Sequence, residues 1–182
     1  IPSYFKASDK PKKPIIAIST RDQRDLVKIY KAFYVKYPHL KWVSFRDMRG
    51  LPRETFAKSL AESCLAIWVD EVSSFGTFPI EAMKCGVPVL GKVPNMVPEW
   101  MTDKNGLWTH DNLVISDLAA NYFQAWLEDG EPKELYEEMS KMNDSYTVEQ
   151  QKVKIKEVYE KIINDRINEL KSSLPVEVEN NV

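Results

Sequence analysis

The length, composition and charge of the chain already restrict what it can be. It has 182 residues, of which 43% are hydrophobic and 29% are charged, so it is long enough to bury the core of one globular domain. The formal net charge of -2 gives no basic surface, which argues against a nucleic-acid partner. No apolar run approaches the roughly eighteen residues that a membrane-spanning helix needs.

The two cysteines, Cys64 and Cys85, lie in apolar contexts and form no metal or redox motif. We therefore expect a reduced, cytoplasmic protein, with attachment to a membrane surface as the alternative for a longer form of the chain.

Short apolar runs alternate with segments of helical periodicity from residue 14 onward. Residues 1–13 are rich in lysine and proline, which predicts a linker. Strands are predicted at Pro14–Ser19, Leu40–Phe45, Leu65–Val69, Val87–Gly91 and, as a short fifth strand, Gly106–Thr109. The helices between the strands are predicted to begin near Arg21, Pro52 and Pro79.

The C-terminal part of the chain is predicted to be helical. Helices are expected at Ile115–Leu127, after Pro132, and at Val148–Ser172, and the residues after Pro175 form a polar tail. Because the first four strands are apolar along almost their whole length, the pattern favours an α/β fold with three α/β/α layers, a parallel sheet of about five strands and additional C-terminal helices. Residues 14–174 are expected to form one domain, followed by the tail at 175–182.

The segment Ser73–Gly91, SSFGTFPIEAMKCGVPVLG, joins the third strand to a helix. Ligands of open parallel sheets bind at the carboxyl ends of the strands, and free amides at a helix N-terminus attract phosphate. Glu81 follows one turn into the helix, where its carboxylate could accept hydrogen bonds from ribose hydroxyls. The segment therefore fits a nucleotide site, although a purely structural turn with an acidic first helical turn explains the local pattern equally well.

The same segment resembles the donor site of retaining GT-B glycosyltransferases of the glycosyltransferase 4 type. In that family a Glu and a second Glu, with seven residues between them, enclose a GFG loop, and EAM and a G-x-PV segment follow. Here SFGTFPIEAMKCGVPVLG matches the loop, the second Glu and the following residues, and NGLWTHD at Asn105–Asp111 resembles a later segment of the family. The resemblance implies a Rossmann-like, nucleotide-sugar-binding domain, with residues 1–13 as the linker from an N-terminal acceptor domain.

The resemblance also implies roles for individual residues. Glu81 corresponds to the family's ribose-binding glutamate. The donor diphosphate would be held by two arginines after the first strand and by the loop before the helix, that is, by Arg21, Arg24, Ser74, Phe75, Gly76 and Thr77. The nucleotide base would lie near the end of the second strand, where Arg46, Met48 and Arg49 could line its site.

The sequence also departs from the family pattern. Ser73 stands where the family has its first Glu, which lies close to the transferred sugar, so the resemblance assigns no catalytic residue. Glu71 is two residues away and out of register with that position. Asn95 and Met96 replace a pair of family glycines, and Trp100 in the following PEWM segment is expected to pack in the core.

The resemblance implies a full enzyme that transfers a sugar from a nucleoside-diphosphate sugar to an acceptor hydroxyl, on a glycan or a lipid, with retention of configuration. No cofactor and no metal are expected, and Asp70 and Glu71 are interpreted as a solvated strand end. This chain alone is expected to bind the donor weakly and to be inactive. The alternatives are a non-catalytic relative that binds only nucleotide, and a GT-B sugar-nucleotide epimerase. Neither the donor base and sugar nor the acceptor follows from the residues.

Overall fold

The computed structural model describes residues 1–72, 75–143 and 145–173. The chain divides into two compact units, Ile1–Ser145 and Tyr146–Val182. The predicted sites at Ser73 and Ser74 and the predicted tail at 175–182 lie outside the described residues.

A parallel sheet of five strands forms the centre of the first unit, as predicted. The strands are β1 (Lys13–Ser19), β2 (Ser44–Asp47), β3 (Ser63–Trp68), β4 (Val89–Lys92) and β5 (Leu107–Thr109). Their order in the sheet is β2-β1-β3-β4-β5, and every neighbouring pair is parallel. The strand order reverses between β1 and β3, so the switch point of this sheet lies between the ends of these two strands.

The helices of the described residues are α1 (Gln23–Lys36), α2 (Arg53–Glu62), α3 (Thr77–Lys84), α4 (Ile115–Asp129), α5 (Lys133–Asn143) and α6 (Val148–Ser173). Helix α1 contacts α4, and α2 contacts α3. Because parallel crossovers are right-handed, these two pairs of helices cover opposite faces of the sheet. The expected three-layer α/β fold is therefore confirmed.

The core lies on both faces of the two central strands. Every residue of β3 is buried, and in β1 the four consecutive residues from Ile15 to Ile18 are buried. On one face Phe33 of α1 and Phe123 of α4 are fully buried against these strands. Burial of each such side chain stabilises the fold by about 1.5–3 kcal/mol.

The predicted starts of the second strand and of the first helix are both wrong. The strand was predicted to begin at Leu40, but Leu40 ends a 3₁₀ turn that begins at Pro38. Trp42, predicted to lie in the strand, is outside it and 42% exposed. The strand itself is β2, which is only partly buried because it forms the edge of the sheet. Helix α1 begins two residues later than predicted because Asp22, not Thr20, accepts the hydrogen bond of its N-cap.

The first twelve residues contact α2 and α3. Phe5 is 3% exposed and packs edge-on against Phe56, with the ring centroids 6.1 Å apart. Lys12 donates from Nζ to the carbonyl oxygens of Ala61 at 2.9 Å and Cys85 at 2.7 Å. These hydrogen bonds satisfy backbone carbonyls at the C-terminal ends of α2 and α3. Because Lys12 is partly buried there, its pKa is lowered.

The second unit consists, in its described part, of α6. This helix has 26 residues, none of which is buried. Its exposed apolar side chains are Val153, Ile155, Val158, Tyr159, Ile162, Ile163, Ile167 and Leu170.

Candidate functional site

The candidate site lies at the carboxyl ends of β1 and β3, on either side of the switch point. The two strand ends are joined by a hydrogen bond in which the backbone N–H of Arg21 donates to Oδ1 of Asp70 at 2.9 Å. Parallel sheets of this order bind their ligands in the crevice above this point. The strand order alone therefore indicates that a ligand site would lie between the loops after β1 and β3.

A pocket of about 580 Å³ opens at this place. Its described lining consists of Arg21, Glu71, Val72, Phe75, Gly76, Thr77, Asn95 and Met96. This volume is in the range of about 300–1,000 Å³ typical of small-molecule sites. The structure thus brings Arg21 and the loop residues Phe75, Gly76 and Thr77 into the lining of one pocket.

Gly76 has the backbone conformation that begins α3. Its φ is +68°, and a Cβ atom at this position would lie 2.8 Å from two carbons of the Trp68 ring. A side chain is therefore excluded by both the backbone angle and the space. Within the described residues no side chain caps α3, and its first residue, Thr77, lines the pocket together with Gly76.

The two arginines predicted to hold the diphosphate lie in different environments. The Arg21 side chain is 76% exposed, lines the pocket and approaches Asp70 only to 4.0 Å. Arg24 is bound to Asp22 through Nε–Oδ1 at 3.0 Å and Nη2–Oδ2 at 2.6 Å, and it is not in the pocket lining. These hydrogen bonds from Arg24 lower the pKa of Asp22 to about 2.

Glu81 lies on α3 four residues after Thr77, and it is not among the described residues that line the pocket. Burial raises the pKa of the Glu81 carboxyl to about 7, and the charge of Arg53 partly offsets that rise. The carboxyl therefore changes its charge close to neutral pH. No sequence motif assigned Arg53 to this site. The only signal for it was its position at the start of α2, which follows the carboxyl end of β2.

The residues expected to line a base lie in β2 or directly after it, and outside the pocket lining. Met48 is 1% exposed, so its side chain packs inside the domain and offers no surface to a base. Arg49 donates from Nε to Oδ1 of Asp47 at 2.9 Å, and Arg46 is 3.8 Å from a carboxylate oxygen of Glu62. Both arginines are thus already paired with acids.

The acidic residues at the end of β3 are held by neighbours. Glu71 forms an ion pair with Lys92 of β4, and its carbonyl oxygen accepts a hydrogen bond from the backbone N–H of Asn95 at 3.1 Å. Asp70 accepts the hydrogen bond from Arg21 described above. In the part of the chain that the structure describes, no three metal-ligating side chains come together.

Trp100 packs beside the pocket, as expected for a core residue, and it is 2% exposed. Its indole N–H donates to the carbonyl oxygen of Phe75 at 2.6 Å. The Trp100 ring centroid lies 6.1 Å from that of Trp68 and 5.9 Å from that of Trp108. The structure therefore joins the loop before α3 to a cluster of three tryptophans that the sequence pattern did not predict.

Comparison with known proteins identifies the family to which the pattern belongs. The family model described as "Glycosyl transferases group 1" matches residues 34–145. An alpha-1,6-glucosyltransferase of Actinobacillus pleuropneumoniae serotype 7 is 37% identical over 93 residues, which are 50% of this chain and 28% of that protein. The chain thus spans less than a third of the length of this curated relative.

Two solved structures share the fold at low sequence identity. The pneumococcal O-GlcNAc transferase GtfA, in complex with UDP and GlcNAc, matches with a TM-score of 0.64 and 14% identity over 87% of this chain and 38% of that one. The C-terminal domain of the group 1 family protein LpcC from Francisella tularensis matches with a TM-score of 0.55 and 14% identity over 78% of this chain and 93% of that one.

None of the described helices has both the length and the apolar character required to cross a bilayer.

Proposed function

The chain belongs to the group 1 glycosyl transferases, and from this premise we propose that it is the domain that binds the nucleotide-sugar donor. The observation that carries the proposal is the pocket at the switch point, where Arg21 and the uncapped N-terminus of α3 line one space. A cationic side chain and free helix amides together suit a diphosphate.

In the proposed complex the donor diphosphate lies against the amides of Gly76 and Thr77, and Arg21 contacts its oxygens. These groups would stabilise the negative charge that grows on the diphosphate as the sugar leaves. Glu81, one turn along the same helix face, would accept hydrogen bonds from the ribose hydroxyls, most strongly when it is ionised. Arg24 would contact the diphosphate only after its hydrogen bonds to Asp22 break.

For a longer protein that contains this domain we propose transfer of a hexose from a nucleoside-diphosphate sugar to an acceptor hydroxyl on a glycan or a lipid, with retention of configuration. The glucosyltransferase relative supports a hexose, and the fold relative that holds UDP makes UDP the first nucleotide to test. Residues 1–13 would connect the domain to the acceptor-binding part. This chain alone would not catalyse the transfer.

The proposal is tested by calorimetric titration of the 182-residue chain with UDP, GDP and ADP. We expect one of them to bind and Glu81→Ala to weaken it about tenfold, because a ribose would lose charge-assisted hydrogen bonds. The titration is made at pH 8, where Glu81 is ionised. If none of the three binds at millimolar concentration, the proposed site is not a nucleotide site in this chain.

A second candidate is a relative that binds the nucleotide but does not transfer the sugar. It is favoured by Ser73, which stands where the family resemblance places a glutamate. Among the described pocket residues, Glu71 supplies a carboxylate, and it is paired with Lys92. Nucleotide binding without product from any nucleotide sugar, measured on the longer protein, would select this candidate. Product analysis would separate transfer from epimerisation.

A further inference from the structure

The loop before α3 accepts a hydrogen bond from a side chain that follows other pocket-lining residues in the chain. Phe75, Gly76 and Thr77 form one wall, and Asn95 and Met96 form another. Trp100 follows the second wall in the chain and donates its indole hydrogen bond to the first, at the Phe75 carbonyl. We propose that Trp100 is a positioning residue that sets the diphosphate-binding loop, an inference that rests on the proposed nucleotide function.

The hydrogen bond acts at the point where the loop becomes a helix. Phe75 precedes Gly76, whose left-handed φ of +68° turns the chain into α3. A donor fixed on the Phe75 carbonyl sets the plane of the peptide between Phe75 and Gly76, because this carbonyl and the Gly76 N–H belong to one rigid unit. The direction of an amide in the proposed phosphate site is therefore set by Trp100.

Trp100 is itself held rigidly. It is 2% exposed, and its ring lies between those of Trp68 and Trp108. Its own carbonyl oxygen accepts a hydrogen bond at 2.6 Å from Nδ2 of Asn105, a buried residue whose Oδ1 accepts one from the N–H of Thr102 at 3.0 Å. A donor fixed by packing and by its backbone can hold its acceptor in one place.

The two indoles of this cluster provide a matched pair of substitutions. Trp100→Phe removes the N–H that reaches the loop and retains an aromatic ring. Trp108→Phe also removes an indole N–H, which donates to the Thr102 carbonyl at 2.7 Å and to Oδ1 of Asn105 at 3.4 Å and has no hydrogen bond to the loop. Trp108 is only partly buried, so this variant controls for the loss of an indole donor from the cluster, and the comparison of diphosphate with nucleoside controls for packing.

Affinity is measured for UDP and for uridine by NMR shift titration of wild type and both variants. If GDP or ADP is the nucleotide that binds, it is used with its own nucleoside. We expect Trp100→Phe to weaken the affinity for the diphosphate about fivefold and to change the affinity for the nucleoside less than about twofold, because in the proposed complex the loop contacts only the phosphates. Trp108→Phe is expected to change neither by more than about twofold.

Equal losses for diphosphate and nucleoside, or equal losses in the two variants, would overturn the inference, because the substitutions would then act through general packing. Amide hydrogen exchange without nucleotide gives an independent reading. We expect the amides of Ile80 and Glu81, near the start of α3, to exchange several-fold faster in Trp100→Phe than in Trp108→Phe.

The two measurements separate this inference from the proposed function. If wild type binds no nucleotide, the proposed function fails, and hydrogen exchange alone decides whether Trp100 sets the loop. If wild type binds and Trp100→Phe alters neither diphosphate affinity nor exchange, the inference fails while the proposed function stands.

Discussion

The loops after β1 and β3 meet at the same pocket and differ in how they are built. The segment after β1 carries charged side chains at its surface, with Arg21 in the loop and Arg24 in the first turn of α1 both more than three quarters exposed. The loop after β3 presents backbone, turned by Gly76 and fixed by Trp100. Contacts through the backbone are set by the fold, whereas contacts through long side chains are decided by competing partners. Substitutions should therefore have their largest effects after β3.

Gly76→Ala is expected to have the largest effect. The new methyl group would lie 2.8 Å from the Trp68 ring, at a residue with φ of +68°. We expect the free energy of unfolding to fall by about 2–4 kcal/mol, from backbone strain and overpacking together. Urea denaturation measures it. Gly50→Ala is the control, since φ there is +70° with nothing within 4 Å, and its cost should be near 1 kcal/mol. Equal costs for the two variants would contradict the account of Gly76.

Glu81→Gln is expected to remove a pH dependence of stability. Burial raises the pKa of Glu81 from its ordinary 4.5 to about 7, so the folded protein favours the neutral acid. The stability that neutral Glu81 contributes is complete below about pH 4.5 and is lost as the pH rises through 7. Between pH 4.5 and 8 wild type should lose about 1–2 kcal/mol relative to the variant, a figure reduced for the solvent contact that the carboxyl retains. Urea denaturation at four pH values measures this difference, and a constant difference would refute it.

Arg21→Gln should weaken the nucleoside diphosphate about five- to tenfold at low salt, because Arg21 lines the pocket and is held only loosely by Asp70. Arg24→Gln is the matched variant and should change affinity less than about twofold, because Asp22 already occupies that guanidinium. Calorimetry at two salt concentrations measures both, and the difference should shrink as salt screens the charges. A larger loss in Arg24→Gln would reverse the assignment.

Asp22→Asn should have the smallest effect, and it should be a gain. Asparagine caps a helix as well as aspartate does, so α1 keeps its start while Arg24 loses its ionic partner. The released guanidinium should improve diphosphate affinity about twofold. Asp25→Asn, in the same helical turn but not bound to Arg24 by a hydrogen bond in the described structure, is the control for the change in net charge. No gain relative to that control would mean that Arg24 does not reach the ligand.

The parts of the site that are close in sequence were predictable, and the parts that depend on strand register were not. The segment from Phe75 to Glu81 carries its own glycine, helix start and acid, so the local pattern predicted the turn and its location. By contrast, Trp100 reaches Phe75 across 25 residues, and Lys92 reaches Glu71 across 21. Such pairs form because β4 lies beside β3 in a particular register, which no local pattern encodes.

The second strand shows a different limit. An apolar run at Leu40–Phe45 predicted a buried strand, but hydrophobicity does not distinguish a 3₁₀ turn that packs Leu40 inward from a strand that buries the same residue. The position of β2 at the sheet edge follows from the crossover connections, and it explains why β2 is short and partly exposed. The influence of Arg53 on the pKa of Glu81 was not predictable from the sequence for a related reason, because it depends on how α2 and α3 pack together.

The three neighbouring indoles also give the molecule an optical signal of its own. Their planes are tilted by 42° between Trp68 and Trp100 and by 60° between Trp100 and Trp108, an arrangement in which neighbouring transition dipoles couple and produce circular dichroism in the near ultraviolet. The middle chromophore is bonded to the loop, so a change in the loop should alter the band without any added label. The chain thus carries a spectroscopic reporter within hydrogen-bonding distance of its pocket.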